Sequence, residues 1–173
     1  MSEEEEFEIF DAEGRLLGRM PRSRVHAEGH WHKSAHVYLY DDAGRLWMQK
    51  RVIDKDICGG LWDYSVGEHL QPGETFLEAA HRGLEEELGV RESALVCLGE
   101  PRKGRAEFPE LGILDCELQQ AFKGVHDGPV TANAAEVEKM RAVTLAELER
   151  WVSARPADFT PWFLRDLEVY GIL

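Results

Sequence analysis

Bases are in short supply in this sequence. Against 33 aspartates and glutamates there are 20 lysines and arginines, for a formal net charge of −13 at pH 7. Such a surface repels nucleic-acid phosphates, so no nucleic-acid polymer is expected as a partner. Cysteine is scarce as well. Cys58, Cys97 and Cys116 are widely spaced, odd in number and form no C-x-x-C pair, so neither a disulfide framework nor a zinc knuckle is indicated. Long apolar runs are missing. No stretch approaches the roughly 18 residues that a membrane helix needs, and no membrane partner is expected. The opening MSEEEEFEIF lacks the basic-then-apolar pattern of a secretory leader, and a cytoplasmic location is the expectation. Internal repeats, low-complexity tracts and evident linkers are absent too. What is there is a chain of 173 residues, 43% hydrophobic, enough for one sizeable core. Residues 1–173 read as a single domain.

Turn signals divide the chain. Phe7 to Phe10 and Leu16 to Met20 flank Asp11-Ala12-Glu13-Gly14 and predict an N-terminal β-hairpin over about residues 5–21. Residues 35–40 and 46–51 flank Asp41-Asp42-Ala43-Gly44 in the same way, and residues 62–70 read as another strand. Thr75 and Glu78 form a capping box. Leu77, Ala80, Leu84 and Leu88 recur at helical spacing before Gly89, predicting a helix over residues 75–88. Strands are expected at residues 95–99, 113–122 and 138–143. Two helices, 145–153 and 161–170, fill a C-terminal region of about residues 145–171. The sequence is that of a mixed α/β domain of the α+β kind.

One helix carries acids in a pattern suited to chemistry. At about 100° per residue, Leu77, Leu84 and Leu88 form the expected core stripe. Gly83, Glu86 and Glu87 share another flank through i, i+3, i+4 spacing. Adjacent carboxylates repel unless a cation lies between them. Hard oxygen ligands suit magnesium or manganese, and magnesium commonly bridges carboxylates to substrate phosphates. Taken alone, Glu85-Glu86-Glu87 is more often a solvated helix face; here a specific loop precedes it.

That loop and helix together resemble the signature of the Nudix hydrolase family. From Glu74, seven residues lead to Arg82, Gly83, Leu84, Glu85, Glu86, Glu87, Leu88, Gly89 and Val90, in a box covering about residues 67–90. Two positions depart. Glu68 stands where the family has its opening Gly, with Gly67 just before it, and Gly83 stands where the family has a Glu. The resemblance implies the Nudix fold, a mixed β-sheet sandwiched between helices. It implies that Glu86 and Glu87 ligate a catalytic magnesium or manganese ion, helped by the backbone carbonyl near Gly67 and braced by Arg82 and Glu74. The acid missing at 83 is a metal ligand, or the general base, in family members. The two departures suggest an exchange, in which the Glu68 carboxylate enters the space beside Gly83 and restores a metal ligand. The alternative is that Glu68 points to solvent.

Further segments, VHAEGHWHKSAHVYLYDDAGRL, QKR, GGLWDYSVGEHLQPGE and FTPWF, resemble the branch that includes isopentenyl-diphosphate isomerase and its hydrolase relatives, over roughly residues 5–170. Gly67 stands where the isomerases have a catalytic Cys, and hydrogen cannot shuttle protons as a thiol does. The isomerases also bind a metal through three histidines and two acids. His32 and His69 match two of these positions and His26 lies one residue off a third. Glu107, Glu110 and Glu117 lie in the region of the acids without a clear alignment, and a polar-loop role for the histidines stays open. By spacing alone, His30, His32 and His36 would share one strand face. Lys50, Arg51 and His69 are candidates to meet substrate phosphates, the bases being otherwise surface charge. Trp162 matches an aromatic of the isomerase pocket, or packs in the core. Glu136 and Glu138 are candidate general bases, and residues 100–112 and 124–135 are candidates to set selectivity. The implied function is hydrolysis of a diphosphate linkage in a small molecule, such as a nucleoside diphosphate joined to another group. Isomerisation of an allylic diphosphate, and a scaffold that binds a nucleotide without turnover, are the alternatives. The resemblance leaves a homodimer open.

Overall fold

The computed structural model describes residues 4–173; the first three residues of the acidic opening lie outside it. Strands β1 (Glu6–Phe10) and β2 (Leu16–Pro21) pair antiparallel and lead into α1 (Arg22–Glu28), a short helix that no apolar periodicity announces. Then follow β3 (Trp31–Tyr40), β4 (Leu46–Arg51), β5 (Trp62–Asp63), β6 (Val66–His69) and α2 (Phe76–Leu88). The chain continues through β7 (Leu95–Cys97), β8 (Arg102–Phe108), β9 (Ile113–Val125), β10 (Val137–Val143), α3 (Leu145–Ala154) and α4 (Pro161–Val169). Among the described residues no helix is long and apolar enough to cross a membrane.

β3 organises the sheet. β9 runs parallel to it over its whole length, from Trp31 beside Cys116 to Tyr40 beside Val125. The other edge is shared by antiparallel partners: β1 at Trp31, β6 from Ser34 to Val37, and β4 at Tyr40. β10 extends the sheet beyond β4, β2 lies beyond β1, and β7 and β8 pair with β9. Alternation along β3 then decides which side chains face which layer. Ala35, Val37 and Leu39 pack with Val66, Ala80, Leu84 and Leu88 under α2. Tyr38 and Tyr40 pack with Met48, Leu148, Phe163 and Leu167 under α3 and α4. Each fully buried Leu or Phe contributes ~1.5–3 kcal/mol relative to exposure, so both faces have a reason to be covered. The outcome is a mixed sheet between helices, the α+β architecture that the resemblance implies.

Three local expectations change. Residues 62–70 do not form one strand: β5 pairs with β4, whereas β6 pairs with β3. The chain crosses between them at Ser65, whose hydroxyl donates to the Trp47 carbonyl and accepts from the Leu39 amide at 2.8 Å. Residues 102–108, in a stretch read as a selectivity loop, form β8 because β9 is long enough to pair with it. Helix α2 begins with the Thr75–Glu78 capping box and ends at Gly89, whose φ of 67° is the left-handed conformation that suits glycine. Its core face differs from the expected stripe, since Leu77 is 46% exposed. The small residues Ala79, Ala80 and Gly83 let the helix approach the sheet, so Gly83 and Glu87 lie on the buried face beside Leu84 and Leu88.

A Cβ at position 83 would lie 2.6 Å from Val66 Cγ1, closer than real contacts allow. Gly83→Ala should therefore lower the melting temperature. Ala gains ~1 kcal/mol in helix propensity, whereas forcing a methyl into a filled core costs ~1–3 kcal/mol. The loss should shrink in a Val66→Ala background, as a double-mutant cycle of thermal or urea denaturation would show. A rise in stability for Gly83→Ala alone would contradict the packing.

Candidate functional site

β6 supplies side chains to both faces of the sheet. Paired with Ala35 and Val37, Glu68 and Val66 face α2; paired with Ser34 and His36, His69 and Gly67 face the other way. On the α2 side Glu68 enters the space beside Gly83, where its Oε2 would lie 3.3 Å from a Cβ at that position. Arg82 gathers the surrounding acids. Its Nε and Nη2 donate to the two Glu74 oxygens at 2.9 Å each, and Nη2 also donates to the His69 carbonyl at 2.8 Å. Its Nη1 lies 3.1 Å from Glu68 and 3.4 Å from Glu86. Glu87 is buried and accepts from Gln49 Nε2 at 2.9 Å. Burial, with the charge of Glu68 adding to it, pushes the Glu87 carboxyl up to about 8. Burial also raises Glu68, against the pull of Arg82. Glu86 is exposed and touches Arg82. Glu68, Glu86 and Glu87 border a compartment of about 400 Å³ that Arg22, Arg51, Lys55 and Glu136 also line.

A smaller cavity of about 60 Å³ adjoins it and shares Arg22, Arg51, Gly67, Glu68 and His69. Here α1 delivers His26, β3 delivers His32 and β6 delivers His69. Ligating nitrogens of the three lie within 4.8 Å of one another. The parallel register sets Glu117 beside His32, and Asp115, two residues earlier, shares its face. His32 Nε2 lies 3.4 Å from Asp115 Oδ1, and His69 Nε2 lies 3.3 Å from Glu117 Oε1. Burial lowers His26 to about 3 and His32 to about 4, so both imidazoles are neutral at pH 7. Burial and the neighbouring Glu117 push Asp115 up to about 7. Glu117 is half-buried, and hydrogen bonds from His36 and His69 hold it well below the usual carboxylate range. His26 Nε2, His32 Nε2 and Asp115 Oδ1 are buried without a hydrogen-bond partner. Orphaned donors of this kind, neutral imidazoles beside carboxylates, fit a divalent cation.

The remaining candidates divide. Arg51 stands between the two cavities, its guanidinium 5.4 Å from the Trp162 ring centre and 3.6 Å from Asp63. Asp63 is buried and accepts from Trp162 Nε1 at 2.8 Å and from Thr160 Oγ1 at 3.0 Å, which fixes the indole where it both packs against the core and lines the smaller cavity. Lys50 is not with them. Gln49 faces Glu87, so its strand neighbour turns to the opposite side, where Lys50 Nζ meets Glu138 at 2.7 Å. Glu136 lines the larger compartment and Glu138 does not. His30 precedes β3 and bonds Glu28 at 2.9 Å, outside the cluster. His36 bonds Asp166 at 3.1 Å and stacks on Tyr64 at 4.4 Å. That Tyr64 ring fills the room beside Gly67, lying 2.5 Å from where a Cβ would be. Glu107 and Glu110 are exposed and form no part of the cluster. Asp115 escaped sequence reading; its signal was the spacing of two acids on one strand face, legible only once β9 is set against β3.

With this geometry in hand, comparison with known proteins is direct. Residues 30–163 match the model of the NUDIX domain. The chain is 32% identical over 172 residues to isopentenyl-diphosphate Delta-isomerase of Burkholderia multivorans, covering 98% of this chain and 94% of that protein. It is 33% identical over 163 residues to an uncharacterized Nudix hydrolase of Pseudomonas aeruginosa, covering 92% of this chain and 89% of that one. A crystal structure of a Deinococcus radiodurans protein shares the fold with a TM-score of 0.68 at 20% identity, over 87% of this chain and 90% of that one. The chain belongs to the Nudix family.

Proposed function

We propose that this chain hydrolyses the diphosphate linkage of a small molecule in the compartment bounded by Glu68, Glu86 and Glu87. The observation that carries the reading is the exchange beside Gly83. Gly83 stands where the family has an acid, and the Glu68 carboxylate lies beside it, its charge adding to the burial that raises the Glu87 carboxyl. A buried and a half-buried acid that repel each other are stabilised by a cation between them. A magnesium or manganese ion held by Glu87, Glu68 and Glu86 would neutralise phosphate oxygens and lower the pKa of a water molecule. Arg22, Arg51 and Lys55 line the same compartment and offset the phosphate charge. Arg82 orients Glu68 and Glu86, and Glu74 orients Arg82. Glu136, paired with Lys55, is the general base. The oxygen of water attacks phosphorus, the bridging P–O bond breaks, and the proton of the water passes to Glu136.

A second reading, isomerisation of an allylic diphosphate, is favoured by the cluster of His26, His32, His69, Asp115 and Glu117. Opposed to it, Gly67 offers no proton-carrying side chain, and the Tyr64 ring occupies the room that one would need.

A panel of nucleotide sugars, dinucleoside polyphosphates and prenyl diphosphates, incubated with magnesium or manganese, separates the two. Hydrolysis products are expected from at least one substrate, and a rearranged prenyl diphosphate without hydrolysis would favour the second reading. Glu68→Ala should reduce turnover at least ~10-fold; full activity in that variant would remove Glu68 from the site.

The pH dependence of stability gives an independent measure. In the fold Glu87 keeps its proton up to about 8, whereas in the unfolded chain it loses it near 4.5. The native state therefore binds more protons across that window, and stability falls as pH rises through it. In metal-free buffer the melting temperature of the wild type should drop relative to Glu87→Gln between about pH 4.5 and 8. Parallel curves for the two proteins would show that Glu87 is not held protonated.

A further inference from the structure

A large cleft lies outside the site just described. It has a volume of about 590 Å³, within the range of clefts that hold small organic ligands. β4 separates it from the acidic compartment, because Gln49 reaches Glu87 on one face while Lys50 enters this cleft on the other. Trp62 and Trp151 line it, edge to face at 5.2 Å, and the Arg141 guanidinium lies 4.8 Å over the Trp151 ring. Lys50, Lys139, Arg141 and Arg155 bring four of the 20 bases of this acidic chain to one place.

The acids of the cleft are already engaged. Glu138 holds Lys50 at 2.7 Å. Asp158 holds Arg155 at 3.0 Å and accepts from Trp151 Nε1 at 2.7 Å. Glu147 caps α3, accepting from the Thr144 amide at 2.8 Å and the Thr144 hydroxyl at 2.9 Å. Among the described residues neither Lys139 nor Arg141 forms an ion pair, although acids outnumber bases on this chain. Arg141 is exposed, so the guanidinium face away from Trp151 is open to a second planar group.

We propose that this cleft is a second ligand site, which binds a nucleoside mono- or diphosphate with its base on the Arg141–Trp151 stack and its phosphates at Lys139 and Lys50. The planar cation and the two indoles select an aromatic ring. The lysines select the anion. An anion without a ring would meet only half of the site, so the ring distinguishes this class of ligand from free phosphate or diphosphate. The reading is independent of what the acidic compartment does.

Indole Nε1–H signals in nuclear magnetic resonance spectra of the full chain test it. ADP and inorganic pyrophosphate would each be titrated in the presence of EDTA, so that no divalent metal supports binding at the acids. ADP should shift the Trp62 and Trp151 signals and leave that of Trp162, which lines the other site, in place. Pyrophosphate should bind at least ~10-fold more weakly for want of the ring. Lys139→Ala and Arg141→Ala should each weaken ADP binding at least ~10-fold without changing the melting temperature. Lys139→Ala leaves the stacked pair intact and keeps the test valid if Arg141→Ala disturbs Trp151. Shifts at Trp162 alone, no shift at millimolar ADP, or equal binding of pyrophosphate would each overturn the proposal.

Discussion

Arg82 is the fastening on which both cavities depend. Its guanidinium ties Glu74, the His69 carbonyl, Glu68 and Glu86 together. One side chain of α2 thus fixes the turn before the helix, the end of β6 and two of the acids facing the larger compartment. Sequestered carboxylates need such a partner or, like Glu87, keep their proton. Removing one member of a buried ion pair costs ~3–5 kcal/mol, because the charges left behind are uncompensated. His69 follows Glu68 directly, so the same fastening also sets an imidazole on the far side of the sheet.

That β6 serves both sides follows from the pleat. Four residues suffice, since successive side chains point to opposite faces: Val66 and Glu68 toward α2, Gly67 and His69 toward the histidine cluster. The two cavities meet at β6, where Gly67, Glu68 and His69 line both together with Arg22 and Arg51. The acids and imidazoles differ in electrostatic character. Glu87 and Glu68 are held near each other at the cost of raised pKa values, while His26 and His32 are held neutral by burial. Each state leaves lone pairs that a divalent cation can use.

Two glycines show how neighbouring groups fill the room beside a residue without a side chain. At Gly83 the space goes to Val66 and to the Glu68 carboxylate, which reaches the α2 face from the strand. At Gly67 the space goes to the Tyr64 ring, which stacks on His36. Neither position has room for a longer side chain, one because of Val66 and Glu68 and the other because of the Tyr64 ring.

Local pattern was enough for the elements whose signals are short-range. The capping box at Thr75, the stop at Gly89 and the turn at residues 41–44 between β3 and β4 all rest on contacts within a few residues, and the order of acids from Glu74 to Glu87 carried the family. Periodicity misplaced Leu77, since only the approach of α2 to β6 through Ala79, Ala80 and Gly83 decides which arc of the helix is buried. The neighbourhood of Glu68 and Gly83 could be imagined from two exchanged residues but needed the sheet to bring it about. Asp115 and the true direction of Lys50 were invisible, because one depends on a parallel register between strands some eighty residues apart and the other on which face of β4 meets Glu87. The sequence by itself determined the residue types and the family; tertiary structure alone decided which of those residues share a cavity, since long-range strand pairing sets the faces and one residue of register exchanges them.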